Sequence, residues 1–150
     1  MKKIALEIAA AFFAMLAVAI LNLPAQAGEA DGFVIIVHPS SKISSINRFE
    51  LAQIFLKKKS RWPGGEVANP VDQKLTSKVR EAFSKTVLKK PISAVNAYWQ
   101  QRIFSGRDVP PPQKSSDAAV ILYVSSHEGA VGYVTADADV GKAKVLTVAN

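Results

Sequence analysis

The sequence predicts an α/β fold, a single lobe in which a small mixed sheet is flanked by helices. Three observations predict it. Residues 33–37, Phe-Val-Ile-Ile-Val, are a continuous apolar, β-branched run, the pattern of a strand buried on both faces. Segments with apolar residues at i, i+3 and i+4 alternate with short strand-like runs through the rest of the chain. Glycine, proline, asparagine and serine stand at the joints between them.

Each element can be justified in order. Asn47 caps a helix, and Glu50 three residues on completes an N-terminal capping signal. Leu51, Ile54 and Phe55 give that helix one apolar face. Lys57, Lys58 and Lys59 are expected in its last turn, where cations complement the negative end of the dipole. Pro63-Gly64-Gly65 forbids continuation, and residues 67–72 are expected as a second strand. Residues 76–88 form the next helix, with Thr76 or Ser77 as cap and Val79, Ala82, Phe83 and Val87 on one side. Pro91 starts another, whose buried stripe is Ile92, Val95, Trp99 and Ile103 and whose stop is Ser105-Gly106. Pro110-Pro111-Pro112 imposes an extended connection. Ser115 or Ser116 caps a further helix to about His127, and Gly129 suits its end. Residues 130–134 read as a strand, and residues 144–148 as a last one at an edge.

The chain of 150 residues has room for one domain. Residues 1–27 carry a charged start at Lys2-Lys3, an apolar run to Leu23 interrupted by Glu7, and Ala25-Gln26-Ala27. That is the pattern of a cleaved secretory signal, which leaves residues 28–150 as the domain; the alternative is an uncleaved membrane anchor. With no cysteine the chain has no disulfide, no thiol nucleophile and no thiolate metal site. A formal charge of +7 suits an acidic surface or a small anion as partner. An export signal and the lack of any recognised motif argue against nucleic acid.

Two stretches carry a family resemblance. Glu50, Leu51, Ile54, Phe55 and Trp62 stand in the pattern ELxxIFxxxxxxW, and residues 129–134 read Gly-Ala-Val-Gly-Tyr-Val. Together with Val79-Arg80-Glu81-Ala82-Phe83 and Ala97-Tyr98-Trp99 between them, they resemble the phosphate-type periplasmic substrate-binding proteins of ABC importers, in a short single-lobe form. The resemblance covers roughly residues 33–134. It implies a periplasmic location, recognition of phosphate or a similar oxyanion, and a link to an ABC permease. It also implies where the anion would sit, at a helix start carrying Thr76, Ser77 and Arg80, with Ser115 and Ser116 at a second start facing the same cleft. Arg80 comes later than the arginine of the family's turn, and the turn's glycine is missing here.

The residues taken alone leave alternatives open. Thr76, Ser77 and Arg80 also read as a capped helix with a solvated arginine, and Ser115-Ser116 as a cap after a proline loop. Asp72 is expected at a strand end facing this region, either accepting a proton from a protonated oxyanion or, as the better expectation, pairing with Lys74 or Arg80. The matched segments belong to one lobe, so a complete cleft needs a partner chain or a second copy, as in a homodimer. The alternative function is an envelope interaction module that binds no solute and meets a second envelope protein. No catalytic constellation, cofactor motif or metal-ligand spacing is present: His38 and His127 lie far apart, and Ser126-His127-Glu128 are helix neighbours that do not face one another. Glu50 and Glu81 are helix carboxylates, and Trp62, Tyr98 and Trp99 are core or lobe-edge aromatics.

Overall fold

The structure, a computed structural model, describes residues 31–150. The expected signal and its junction with the domain lie outside the described residues. Five strands form one mixed sheet in the order β2 (Ser45–Asn47), β7 (Lys144–Ala149), β1 (Phe33–Val37), β6 (Ala130–Thr135), β3 (Asn69–Pro70). Antiparallel pairings join β1 to β6 and to β7, while β2 joins β7 and β3 joins β6 in parallel. Helices α1 (Arg48–Phe55), α2 (Lys78–Phe83) and α3 (Ile92–Phe104) cover one face; α4 (Asp117–Ser126) covers the other. A small parallel ribbon, β4 (Asp72–Gln73) with β5 (Gln113–Lys114), stands apart from the main sheet.

Strand alternation sorts the core into two layers. Phe33, Ile35 and Val37 of β1, with Val131 and Tyr133 of β6, meet α1 to α3; Ile36 and Val134 meet Val120 and Val124 of α4. Gly132 sets how closely α4 can lie. A Cβ there would come within 2.6 Å of Val120 and 2.9 Å of Val71, so only glycine lets the helix approach. The two resembling stretches touch directly: Trp62 Nε1 donates to the Gly129 carbonyl at 3.1 Å, and Gly129 itself has φ +73. Trp62 and Trp99 are buried and Tyr98 is half-buried, as expected of core aromatics.

Asn47 caps α1 reciprocally, accepting from the Glu50 N–H at 2.8 Å and donating from Nδ2 to Glu50 Oε2 at 3.0 Å. Four expectations need correction. The three lysines lie beyond α1, not in its last turn: the Lys57 N–H donates to Ile54 and the Lys58 N–H to Gln53, which closes the helix with Lys57 at φ 50. The strand expected over residues 67–72 is split, because Pro70 pairs with β6 and the chain then leaves to pair with β5 from Asp72. The last strand is not an edge, since the three-residue β2 lies outside it. Ile103 is 52% exposed, because α3 overruns the core after Trp99. The helix after Ser77 also changes pitch, continuing from α2 as a π-turn over Ser84–Leu88 that ends at Lys89 in the left-handed region.

Candidate functional site

The ribbon positions the site. Asp72 lies beside Gln113 and Gln73 beside Lys114, and each strand runs within a few residues into a helix start. The Lys74 N–H donates to the Lys114 carbonyl at 2.9 Å, and the Ser77 N–H to the Lys74 carbonyl at 3.0 Å, which turns the chain into α2. Helices α2 and α4 therefore begin side by side at the carboxyl ends of a parallel pair. Ser77 Oγ accepts from the Arg80 N–H at 3.3 Å, and Ser116 Oγ from the Ala119 N–H at 3.2 Å. Those two serines are the caps. Thr76 and Ser115, the other candidates, stand exposed next to them. The structure thus gathers Thr76, Ser77, Ser115 and Ser116 at one end of the ribbon.

Arg80 occupies a different place. It is 3% exposed, so the solvated reading is corrected: three residues before Phe83, it faces the sheet. One Nη lies 2.9 Å from Asp72 Oδ2, and the other donates to the Gln73 carbonyl. Asp72 pairs with Arg80, as one of the two sequence alternatives had it. The Tyr133 hydroxyl and the Gln73 N–H both donate to Asp72 Oδ1, the latter at 2.9 Å. Burial pushes the Asp72 carboxyl above its ordinary range; Arg80, the Tyr133 hydroxyl and the Gln73 N–H oppose the rise. Burial and the Asp72 charge together push the Tyr133 hydroxyl far up, so it stays a donor.

Gln73 ties the two helix starts together. Its Nε2 donates to Asp117 Oδ1 in the first turn of α4 at 2.7 Å and to the Tyr133 carbonyl at 3.1 Å. Its Oε1 accepts from Ser77 Oγ at 2.9 Å. Asp117 Oδ2 in turn accepts from the Thr135 N–H at 3.2 Å and from the Thr135 hydroxyl. Sequence reasoning missed Gln73, Asp117 and Tyr133 as parts of this site. Asp117 reads only as a first-turn acid, Tyr133 only as a motif residue, and nothing local marks Gln73. Among the described residues no group of three His, Cys, Asp or Glu could hold a metal.

A lobe with a mixed sheet, helices on both faces and two helix starts at a ribbon's carboxyl end has solved counterparts. A phosphate ABC-transporter substrate-binding protein of Clostridium perfringens, solved with phosphate bound, superposes with a TM-score of 0.61 at 17% identity, over 78% of this chain and 44% of that one. This is a periplasmic-binding-protein-like fold. An ABC-type phosphate transport receptor of Vibrio cholerae matches with a TM-score of 0.59, at 16% identity over 78% of this chain and 46% of that one. PstS of Borrelia burgdorferi matches at 0.58, with 17% identity over 78% and 47%. This chain therefore spans less than half the length of these structures. No protein-family model and no curated protein matches it.

Proposed function

We propose that this protein recognises phosphate or a similar oxyanion non-covalently, as an exported solute-binding protein serving an ABC-type permease. The paired start of α2 and α4 carries the reading. The first amides of each helix have no intrahelical acceptor, and both dipoles turn their positive ends to the same place. Thr76, Ser77, Ser115 and Ser116 add hydroxyls there. Arg80 lies beneath, its guanidinium committed to Asp72 and the Gln73 carbonyl, so it holds the helix start in place and does not itself meet the anion. The relatives in solved form, among them one holding phosphate, support the ligand class. A second copy of the chain or an envelope partner supplies the facing wall, and residues 1–27 direct export to the periplasm. Nothing in the proposal calls for catalysis, a cofactor or a nucleic acid.

Isothermal titration with phosphate at low and moderate salt tests the reading. Saturable heat that persists at moderate salt is expected, weakened roughly tenfold in the Thr76→Ala, Ser115→Ala double variant, which loses two exposed hydroxyls. Unchanged titration in that variant refutes the assignment. A second reading, an interaction module of the envelope without solute binding, is favoured by Phe104, 92% exposed at the end of α3 beside half-exposed Ile103. It takes the lead if phosphate gives no heat and leaves the thermal transition unmoved.

A further inference from the structure

A concave site lies at the end of the ribbon away from the helix starts. Pro70 and Pro112 precede β4 and β5, whereas the helix starts follow them, and these prolines line a pocket of about 320 Å³. Ile54 and Ala68 give it an apolar floor, both buried. Lys57 and Lys59 stand in its wall, and Tyr123 of α4 closes one side. The Tyr123 ring is itself held flat: it stacks on His127 with centroids 4.0 Å apart, and Lys114 Nζ lies 4.8 Å from its centre. Two ammonium groups, those of Lys57 and Lys59, therefore line a cleft with an apolar floor and an aromatic side. Facing them are Asp108, 3.5 Å from Lys57 Nζ, and Glu50, 2.7 Å from Lys59 Nζ.

Lys57 is the telling residue. It ends α1 in the left-handed region at φ 50, in the position where glycine is the relaxed choice. The Lys57 N–H to Ile54 and Lys58 N–H to Gln53 bonds that close the helix need only backbone, so the turn itself has no use for a lysine side chain. That side chain reaches the pocket, where its contact with Asp108 is long and open to exchange. Lys89 takes the same left-handed place after the π-turn, so what singles out Lys57 is the position of its side chain in the pocket wall together with the strain.

We infer that this pocket binds a small organic anion with a flat apolar body, an aromatic carboxylate being the simplest member of the class. Its carboxylate exchanges with Asp108 at Lys57 and is shared with Lys59, while its body lies on the floor between Pro70 and Tyr123. The volume is at the small end of ligand pockets, about 300–1,000 Å³, which fits a single ring better than a peptide. The site is independent of the helix starts and stands or falls separately from the phosphate reading.

Benzoate, followed by amide chemical shifts on the protein at moderate salt, is the probe, with inorganic phosphate as the comparison. Saturable benzoate shifts at Ser60, Asn69 and Tyr123, which phosphate does not reproduce, are expected. Lys57→Gly separates binding from folding, since it relaxes the backbone. It should keep the melting temperature of the wild type or raise it, while weakening benzoate roughly tenfold. Lys59→Gln should weaken it severalfold. Shifts that fail to saturate, or that saturate at Thr76 and Ser116 instead, overturn the site, as does a Lys57→Gly protein that binds benzoate as tightly as the wild type.

Discussion

Tyr133 belongs to two regions built on opposite physics. Its ring lies in a dry aromatic cluster, stacked on Phe83 with centroids 4.0 Å apart and planes within 6°, while Phe33 and Phe55 meet the same pair from 5.7 Å and 4.6 Å on the Phe83 side. That cluster is stabilised by buried area and contact, which are non-directional. Its hydroxyl enters the other region, where Asp72, Arg80, Gln73, Ser77 and Asp117 are joined by particular bonds. Burial there is costly in itself, and every partner offsets the cost of the next. The comparison teaches that the aromatic side should lose stability in proportion to the volume removed. The polar side should lose it according to which group is left without a partner.

The largest expected effect tests that distinction. Arg80→Ala strands the Asp72 carboxylate without its counter-charge and should cost about 3–5 kcal/mol in urea unfolding. The Asp72→Asn, Arg80→Met double variant should recover most of the loss, because no charge remains buried. Equal losses in the two proteins would show that the pair is not the cause. The pH dependence carries the same signature. Burial already raises the folded Asp72 carboxyl above its ordinary value of 3.8, and Arg80 is the largest influence opposing the rise. Without Arg80 the folded carboxyl rises further, so the folded variant holds a proton that the unfolded chain releases. The stabilising contribution of that proton is complete below the unfolded pKa and is lost as pH rises through the folded one. The deficit of Arg80→Ala should therefore shrink as pH falls through the raised value toward 3.8. A deficit that is flat with pH counts against the assignment.

Tyr133→Phe cuts along the border itself. It keeps the ring in the cluster and removes the donor to Asp72, a hydrogen bond to a charged group, together with a 3.3 Å acceptor for the Gln73 N–H, for a cost of about 1.5–3 kcal/mol. The tryptophan bands of the near-ultraviolet circular dichroism, from buried Trp62 and Trp99, should be little changed while denaturant stability falls. If the aromatic signal collapses instead, the two regions are not separable.

The same division decides what the sequence could reveal. The dry half was legible: the apolar run of β1, the i, i+3, i+4 face of α1 and the Asn47–Glu50 cap are local patterns, and each is present. Helix starts at Ser77 and Ser116 were legible for the same reason, as caps followed by periodic apolar residues. What failed depends on contacts between distant segments. The three residues of β2 carry no signal of their own, so β7 read as an edge until the pairing of Ile46 with Val148 was in view. Arg80 shares the inward face of Phe83 three residues on, but that spacing does not say what a buried arginine meets: its partner Asp72 is held in turn by Tyr133, 61 residues from Asp72 in the chain. Gln73 was invisible because a lone glutamine has no pattern to break.

The smallest expected effect compares the two helix starts with each other. Ser77 and Ser116 cap α2 and α4 with bonds of 3.3 and 3.2 Å, and losing a serine cap costs about 1 kcal/mol at either position. Ser77 does more than cap, since its hydroxyl also donates to Gln73 Oε1 at 2.9 Å, on the side chain that reaches Asp117. Ser77→Ala should thus exceed Ser116→Ala by roughly 0.5–1.5 kcal/mol, one neutral hydrogen bond in a buried setting. The excess has a further test. Ser77→Asp keeps a capping acceptor but cannot donate to Gln73 when ionised, so it should hold α2 yet retain the excess loss. If Ser77→Ala and Ser116→Ala cost the same, the Gln73 bridge contributes nothing to stability, and the two helix starts are held together by the backbone pairing of β4 with β5 alone.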